Sequence, residues 1–322
     1  MDLLDIYRQS TTYQILAKDI QGGTLCHTYM LVISDEILAN SFAKFFAMQL
    51  MCEDPSICCK CNNCNKIQHN NMADVLYFPQ GSKLTVEESR QIVDESFVLP
   101  YEADKKLFVI NNFDKATPQS QNALLKVLEE PTESNMFLII TESLSTVLPT
   151  IQSRAKKIIE KKLQDDTIRE YIKSNYSDLT DDKLNIACFV AGGDLSVACK
   201  AISDDKYQKM TEDIVYVVNN LKASSDVLKM SNTLAYYKDS FEEVLETFMQ
   251  VYLELDKVRA NAKYVSNIKF DVGTVGGYNT QSITYISHLI VECMDRYKFN
   301  CSITGIIDYL LFGILEAKFR CK

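Results

Sequence analysis

Tryptophan is absent from this 322-residue chain, glycine (10) and proline (6) are scarce, and there are three histidines. The low glycine and proline content excludes a collagen-like fibre, and 47% hydrophobic with 24% charged residues excludes wholesale disorder. So few histidines, with no Ser-His-Asp or Cys-His spacing, offer no general acid/base site. No apolar run approaches the ~18–20 residues needed to cross a bilayer. The N-terminus, MDLLDIYRQSTTYQ, has no basic stretch followed by an apolar core, so no secretory signal is expected. Positive charge is also short: 34 Lys+Arg against 43 Asp+Glu leave a net charge of −9. That balance argues against a chain that grips nucleic acid over a broad surface by itself. At ~150 residues per domain the length suggests two domains, or three.

Cysteine is the residue in excess, with 11 in a chain that reads as intracellular. Five of them, Cys52, Cys58, Cys59, Cys61 and Cys64, fall in CEDPSICCKCNNC. Reduced clustered thiols point to metal before disulfides. Cys58-x2-Cys61-x2-Cys64, with Cys52 six residues upstream, can supply four thiolates to tetrahedral Zn2+ at ~2.3 Å. Such a closed shell leaves no position for water, so the zinc is expected to be structural. Cys59 is the spare thiol, and His69 is not needed as a ligand. The competing readings are a redox CxxC pair and reduced bystanders. A redox pair is disfavoured because thioredoxin-like motifs follow a strand, whereas this cluster follows a helix. Cys26, Cys188, Cys199, Cys293, Cys301 and Cys321 read as small core hydrophobes.

Short apolar runs alternate with helical stripes through the first half. Strands are expected at Thr28–Ile33, Val75–Phe78, Leu107–Ile110 and Met136–Thr141, with a fifth at Lys157–Glu160. Between them, Leu38, Phe42, Phe45, Phe46 and Leu50 make one helical stripe. Thr85 with Glu88 forms a capping box, and Thr117-Pro118 starts a helix that Pro131 stops. Continuously apolar strands alternating with helices imply a parallel sheet covered on both faces. From about residue 165 helical stripes dominate, interrupted by a Gly-rich loop at Phe270–Ser282 and followed by a last helical block at Ile283–Phe319. The expected organisation is an α/β domain over 1–162, a small helical domain over 163–205 and a helical C-terminal domain over 206–322.

The α/β pattern is that of a nucleotide-binding domain without its chemistry. Phosphate binding after the first strand needs glycines, a Lys and a Ser/Thr for Mg2+. The connection here is Ser34-Asp35-Glu36-Ile37-Leu38-Ala39-Asn40, with two carboxylates and neither glycine nor lysine. An acidic pair that would hold Mg2+ and activate water is replaced by Asn111-Asn112. Asp114 reads as a loop or helix-start residue, and Glu129-Glu130 as structural or as an interface. The Lys156-Lys157 and Lys161-Lys162 cluster reads as a solvated strand edge, or as a group approaching DNA phosphate within an assembly.

The chain resembles the clamp-loader subunits of bacterial DNA polymerase III, within the AAA+ class, most closely the delta-prime type. The resemblance is carried by His27-Thr28-Tyr29, the cysteine knuckle followed by Ala73-Asp74, the helix Asn122-Ala123-Leu124-Leu125-Lys126-Val127-Leu128-Glu129-Glu130-Pro131, and Leu148-Pro149-Thr150-Ile151-Gln152-Ser153-Arg154-Ala155. It covers residues 1–200 well and is thin beyond 205. The family has Cys where this chain has Ala155. The resemblance implies an AAA+ domain with a zinc knuckle, a helical lid and an all-helical collar domain. It places the phosphate-loop Lys and Thr at Ala39 and Asn40, the acidic pair at Asn111 and Asn112, and the lid arginine at Ser196. It therefore implies no bound ATP and no ATPase activity of the chain's own. Arg154 is implied as an arginine finger reaching a neighbour's ATP site, positioned by Ser153 and Thr150. The implied partners are tau/gamma and delta subunits in a pentameric ring, acting on a sliding clamp and primed DNA in the cytoplasm. An active tau/gamma-like ATPase and a stand-alone zinc scaffold are the alternatives.

Overall fold

The computed structural model describes residues 1–54, 56–177, 179–261, 264 and 266–320. The chain packs as two compact units, one of residues 1–163 with 194–196, the other of 164–193 with 197–322.

The first unit opens with α1 (Leu3–Gln9) and α2 (Thr11–Gln21), then alternates β1 (Thr28–Val32), α3 (Glu36–Met51), α4 (Asn62–Gln68), β2 (Val75–Phe78), α5 (Val86–Ser96), β3 (Lys106–Ile110), α6 (Pro118–Glu129), β4 (Asn135–Thr141), α7 (Pro149–Gln152) and β5 (Lys156–Ile159). The five strands form one sheet in the order β2-β3-β4-β1-β5, and every pairing is parallel. β3 and β4 are buried throughout, which is why they read as unbroken apolar runs. Phe108 and Phe137 stack across them with ring centroids 5.0 Å apart. The local signals explain the helix ends. Thr85 and Glu88 close a reciprocal capping box on α5, and Thr117 caps α6 with Pro118 in its first turn.

Two polar anchors fix loops of this unit. The buried Asp74 carboxylate accepts from the backbone N–H groups of Tyr101, Glu102 and Ala103 at 2.6, 2.8 and 2.8 Å. Asp19 accepts from Tyr29 Oη at 2.7 Å and from Lys156 Nζ at 2.6 Å. Burial pushes the Asp19 carboxyl up, but the Lys156 and Tyr29 hydrogen bonds outweigh it, so its pKa lies below the ordinary carboxylate value. Lys156 is thus paired with a buried carboxylate, although its own side chain stays about a third exposed. Lys157 Nζ donates to Gln152 Oε1 at 3.0 Å.

The second unit is helical: α8 (Asp165–Asn175), α9 (Asp181–Ala191), most of α10 (Leu195–Ser203), α11 (Asp205–Asn220), α12 (Ser224–Ala235), α13 (Phe241–Ala260), α14 (Val272–Gly277), α15 (Thr280–Lys298) and α16 (Ile303–Arg320). No strand occurs in it among the described residues. α9 ends where Gly192 turns left-handed, at φ +51°. The expected loop at 270–282 contains α14, a short helix whose Thr274 is buried. Its glycines hid it from propensity. The last helical block divides at Asn300, whose φ of +57° ends α15. Cys188, Cys199 and Cys293 are buried, as expected of small hydrophobes, and Cys26 is half-buried. Cys301 corrects that expectation, because it is exposed just beyond the break. Cys321 lies outside the described residues. No helix among the described residues is long and apolar enough to cross a membrane.

Candidate functional site

Three places in the first unit carry chemistry. The first is the cysteine knuckle between α3 and α4. Cys52, Cys58, Cys61 and Cys64 bring their sulfurs within 4.8 Å of one another. Cys52 Sγ lies 3.5 Å from Cys58 Sγ and 3.9 Å from Cys61 Sγ. A tetrahedron of sulfurs around zinc at ~2.3 Å has edges of about 3.8 Å, so the donor set fits such an ion. Backbone N–H groups also point at the sulfurs. Lys60 and Cys61 donate to Cys58 Sγ at 3.4 and 3.2 Å, and Cys64 donates to Cys61 Sγ at 3.4 Å. The Lys60 and Cys61 hydrogen bonds lower the Cys58 thiol to about 7. Such outer donors stabilise thiolate charge and orient the ligands. Ile57 and Cys59 take left-handed φ values of 62° and 53° to make the turn. Cys59 is exposed and outside the cluster, as is His69.

The second place is the cleft at the carboxyl ends of β1, β3 and β4, where ligands of open parallel sheets bind. It encloses about 240 Å3 and is lined by Glu36, Ala39, Asn40, Asn111, Asn112 and Asp114, among others. Glu142 and Lys115 also reach it, so three carboxylates face one ammonium. At its edge the N-terminus of α3 is already satisfied. Asp35, buried, accepts from Leu38 N–H at 3.0 Å, Leu195 N–H at 2.5 Å and Ser196 Oγ at 2.7 Å. Ser196 Oγ in turn accepts from Ile37 N–H at 2.8 Å. Ala39 and Asn40, at the places of the lost Lys and Thr, line the cleft, and Ser196, at the place of the lid arginine, is hydrogen-bonded to Asp35 and Ile37. Sequence reasoning counted Asp35 as a carboxylate facing, and repelling, a phosphate; its pairing with Leu195 and Ser196, 160 and 161 positions away, has no local signal.

The third place is the turn after α7. Arg154 Nη1 donates to the Thr150 carbonyl at 2.6 Å and to Ser153 Oγ at 3.4 Å. Its Nη2 lies 2.6 Å from Glu129 Oε1 at the end of α6. The side chain is 34% exposed. Gln121 ties the preceding segment to α6: its Nε2 donates to Ala116 O and Thr146 O, and its Oε1 accepts from Leu148 N–H. Sequence reasoning picked out Arg154, Ser153 and Thr150 but missed Gln121 and the pairing of Glu129.

The family described as DNA polymerase III, delta subunit, matches residues 8–164. Over that stretch, just under half of its length, the chain resembles the clamp-loader subunits of DNA polymerase III. The chain is 27% identical over 168 residues to the gamma/tau subunit of Mycoplasma pneumoniae, covering 52% of this chain and 25% of that one. It is 28% identical over 165 residues to the delta' subunit of Bacillus subtilis, covering 50% of each. The chain thus spans a quarter to a half of the length of these clamp-loader relatives. A gamma-subunit-related structure from Thermotoga maritima aligns with 95% of this chain and 99% of that one, at 15% identity and a TM-score of 0.46. The gamma/tau and delta' relatives are about equally similar, so identity does not separate an ATPase type from a delta' type. The residues of the cleft bear on that question.

Proposed function

We propose that this chain is a delta-prime-like clamp-loader subunit that does not hydrolyse ATP itself and donates Arg154 to ATP on a neighbouring tau/gamma subunit. The observation that carries this reading is the α3 N-terminus. Asp35 and Ser196 take the N–H groups that a phosphate would need, and Ala39, Asn40, Asn111 and Asn112 offer neither lysine nor metal-binding carboxylates. Asn111 and Asn112 can neither balance Mg2+ nor accept the proton of an attacking water. Arg154 and Ser153, by contrast, are exposed and preorganised. Four thiolates from Cys52, Cys58, Cys61 and Cys64 hold a structural zinc that braces the knuckle. The second, helical unit contributes the lid and the collar of a pentameric ring with tau/gamma and delta. The assembled ring opens a sliding clamp and places it on primed DNA in the cytoplasm, and DNA is held by the ring and not by this acidic chain alone.

The test is a calorimetric titration with Mg-ATP. No binding is expected at concentrations that saturate a tau/gamma partner, and measurable affinity would sink the reading in favour of an active ATPase. Gel filtration with tau/gamma and delta discriminates the stand-alone scaffold: a chain that stays monomeric in that mixture is not a ring subunit.

The same observation predicts a stability effect. Asp35→Ala strips a carboxylate from two backbone donors and one hydroxyl in a buried place. Loss of charge-assisted hydrogen bonds and of the α3 cap is expected to cost about 2–4 kcal/mol. Urea unfolding of variant and wild type reads this, and equal midpoints would show that the contacts contribute nothing.

A further inference from the structure

We infer that Glu129 is the positioning residue for Arg154, the counterion that holds the guanidinium ready for a neighbour's phosphoryl group. The inference rests on the proposed trans role of Arg154. The guanidinium is held from two sides, by Glu129 Oε1 at 2.6 Å on Nη2 and by the Thr150 carbonyl at 2.6 Å on Nη1. The holders belong to separate elements, α6 and α7, and Gln121 of α6 ties down the segment that leads into α7. Gln152 Nε2 closes the turn by donating to Leu144 O and Val147 O.

Glu129 is the last residue of α6. A carboxylate there meets the negative end of the helix dipole, so the position is a poor one for stabilising α6 itself. Its charge is matched by Arg154 alone among the described residues. The adjacent Glu130 forms no ion pair among the described residues, so it serves as the control. An unheld arginine on the surface samples many rotamers, and ordering it at the moment of docking carries an entropic cost. Anchors on Nη1 and Nη2 remove that cost beforehand, while the Nε hydrogen and the second Nη2 hydrogen are left to meet an anion.

The experiment uses the ring reconstituted with tau/gamma and delta. Steady-state ATP hydrolysis is measured for wild type, Glu129→Gln, Glu130→Gln, Arg154→Ala and the Glu129→Gln/Arg154→Ala double variant. Glu129→Gln is expected to lower kcat about three- to tenfold at unchanged KM, and Glu129→Asp to recover part of the loss. In the Arg154→Ala background Glu129→Gln is expected to do nothing further, and Glu130→Gln is expected to behave as wild type. An unchanged kcat for Glu129→Gln, losses that add in the double variant, or a rise confined to KM would overturn the inference. The Arg154→Ala arm separates the two ideas. If it leaves hydrolysis unchanged, the trans reading itself fails. If it lowers hydrolysis and Glu129→Gln does not, only the role of Glu129 fails. Melting curves of the free chains identify a variant that has simply unfolded.

Discussion

Arg154→Ala is expected to leave the fold intact and to lower ATP hydrolysis by the reconstituted ring about ten- to hundredfold. The fold should survive because the side chain is partly exposed and its ion pair with Glu129 is a surface pair, worth about 0–1 kcal/mol. The large loss comes from the transition state. A guanidinium that meets charge developing on a transferring phosphoryl group contributes ~10³–10⁵ in GTPases. A smaller factor is expected here, because the loss spreads through the ring only as far as its ATP sites fire in one concerted cycle, while the other sites keep their own arginines. Arg154→Lys should recover little, since an ammonium cannot span two anchors and an anion with a planar fork. Phosphate release at saturating ATP, with gel filtration confirming that the variant still joins the ring, gives the answer. A wild-type rate in an assembled ring would rule out the trans role.

What could be read from the chain in advance depended on how local each signal is. β1, β3 and β4 were legible because strands buried on both faces must be apolar at successive positions, and the helices between them carry caps at their starts. The cysteine cluster was legible because its spacing confines four thiols to one turn and its flank. α14 was not, because its glycines argue for a loop while its helix is held by packing around Thr274. Lys156 looked like a surface cation until the fold set it against Asp19, 137 positions away. The pairings of Asp35 with Ser196 and of Glu129 with Arg154 are likewise products of topology. Each joins residues whose types were visible but whose meeting is decided by which strand and helix lie side by side. The charge at Asp35 was read as a repulsion toward phosphate, and the fold turns it into a substitute for phosphate.

Removing the proposed zinc from the knuckle is expected to have the largest structural effect. Cys61→Ser should abolish zinc in the purified chain, whereas Cys59→Ser should retain it, because Cys59 is exposed outside the cluster. The segment from Cys52 to Cys61 has no regular secondary structure among its described residues. Arg8 helps to hold it, donating to Ser56 O and Ile57 O at 3.0 and 3.1 Å. Ile57 is its buried apolar anchor. Those contacts are few against the ordering of a turn that forces Ile57 and Cys59 into left-handed backbone. Four thiolates so close together also repel one another unless a cation lies between them. Zinc binding contributes up to ~10–16 kcal/mol to the folding of zinc-finger peptides, and that scale suffices to decide the order of this segment. Chelator treatment or Cys61→Ser should therefore open the knuckle to proteolysis. The sheet should persist, because its core around Phe108, Phe137 and Ile139 is built from other residues. Metal analysis and limited proteolysis read the two effects separately. Equal zinc in wild type and Cys61→Ser would remove Cys61 from the ligand set, and a chelated chain as resistant as the untreated one would mean that the protein contacts alone order the turn.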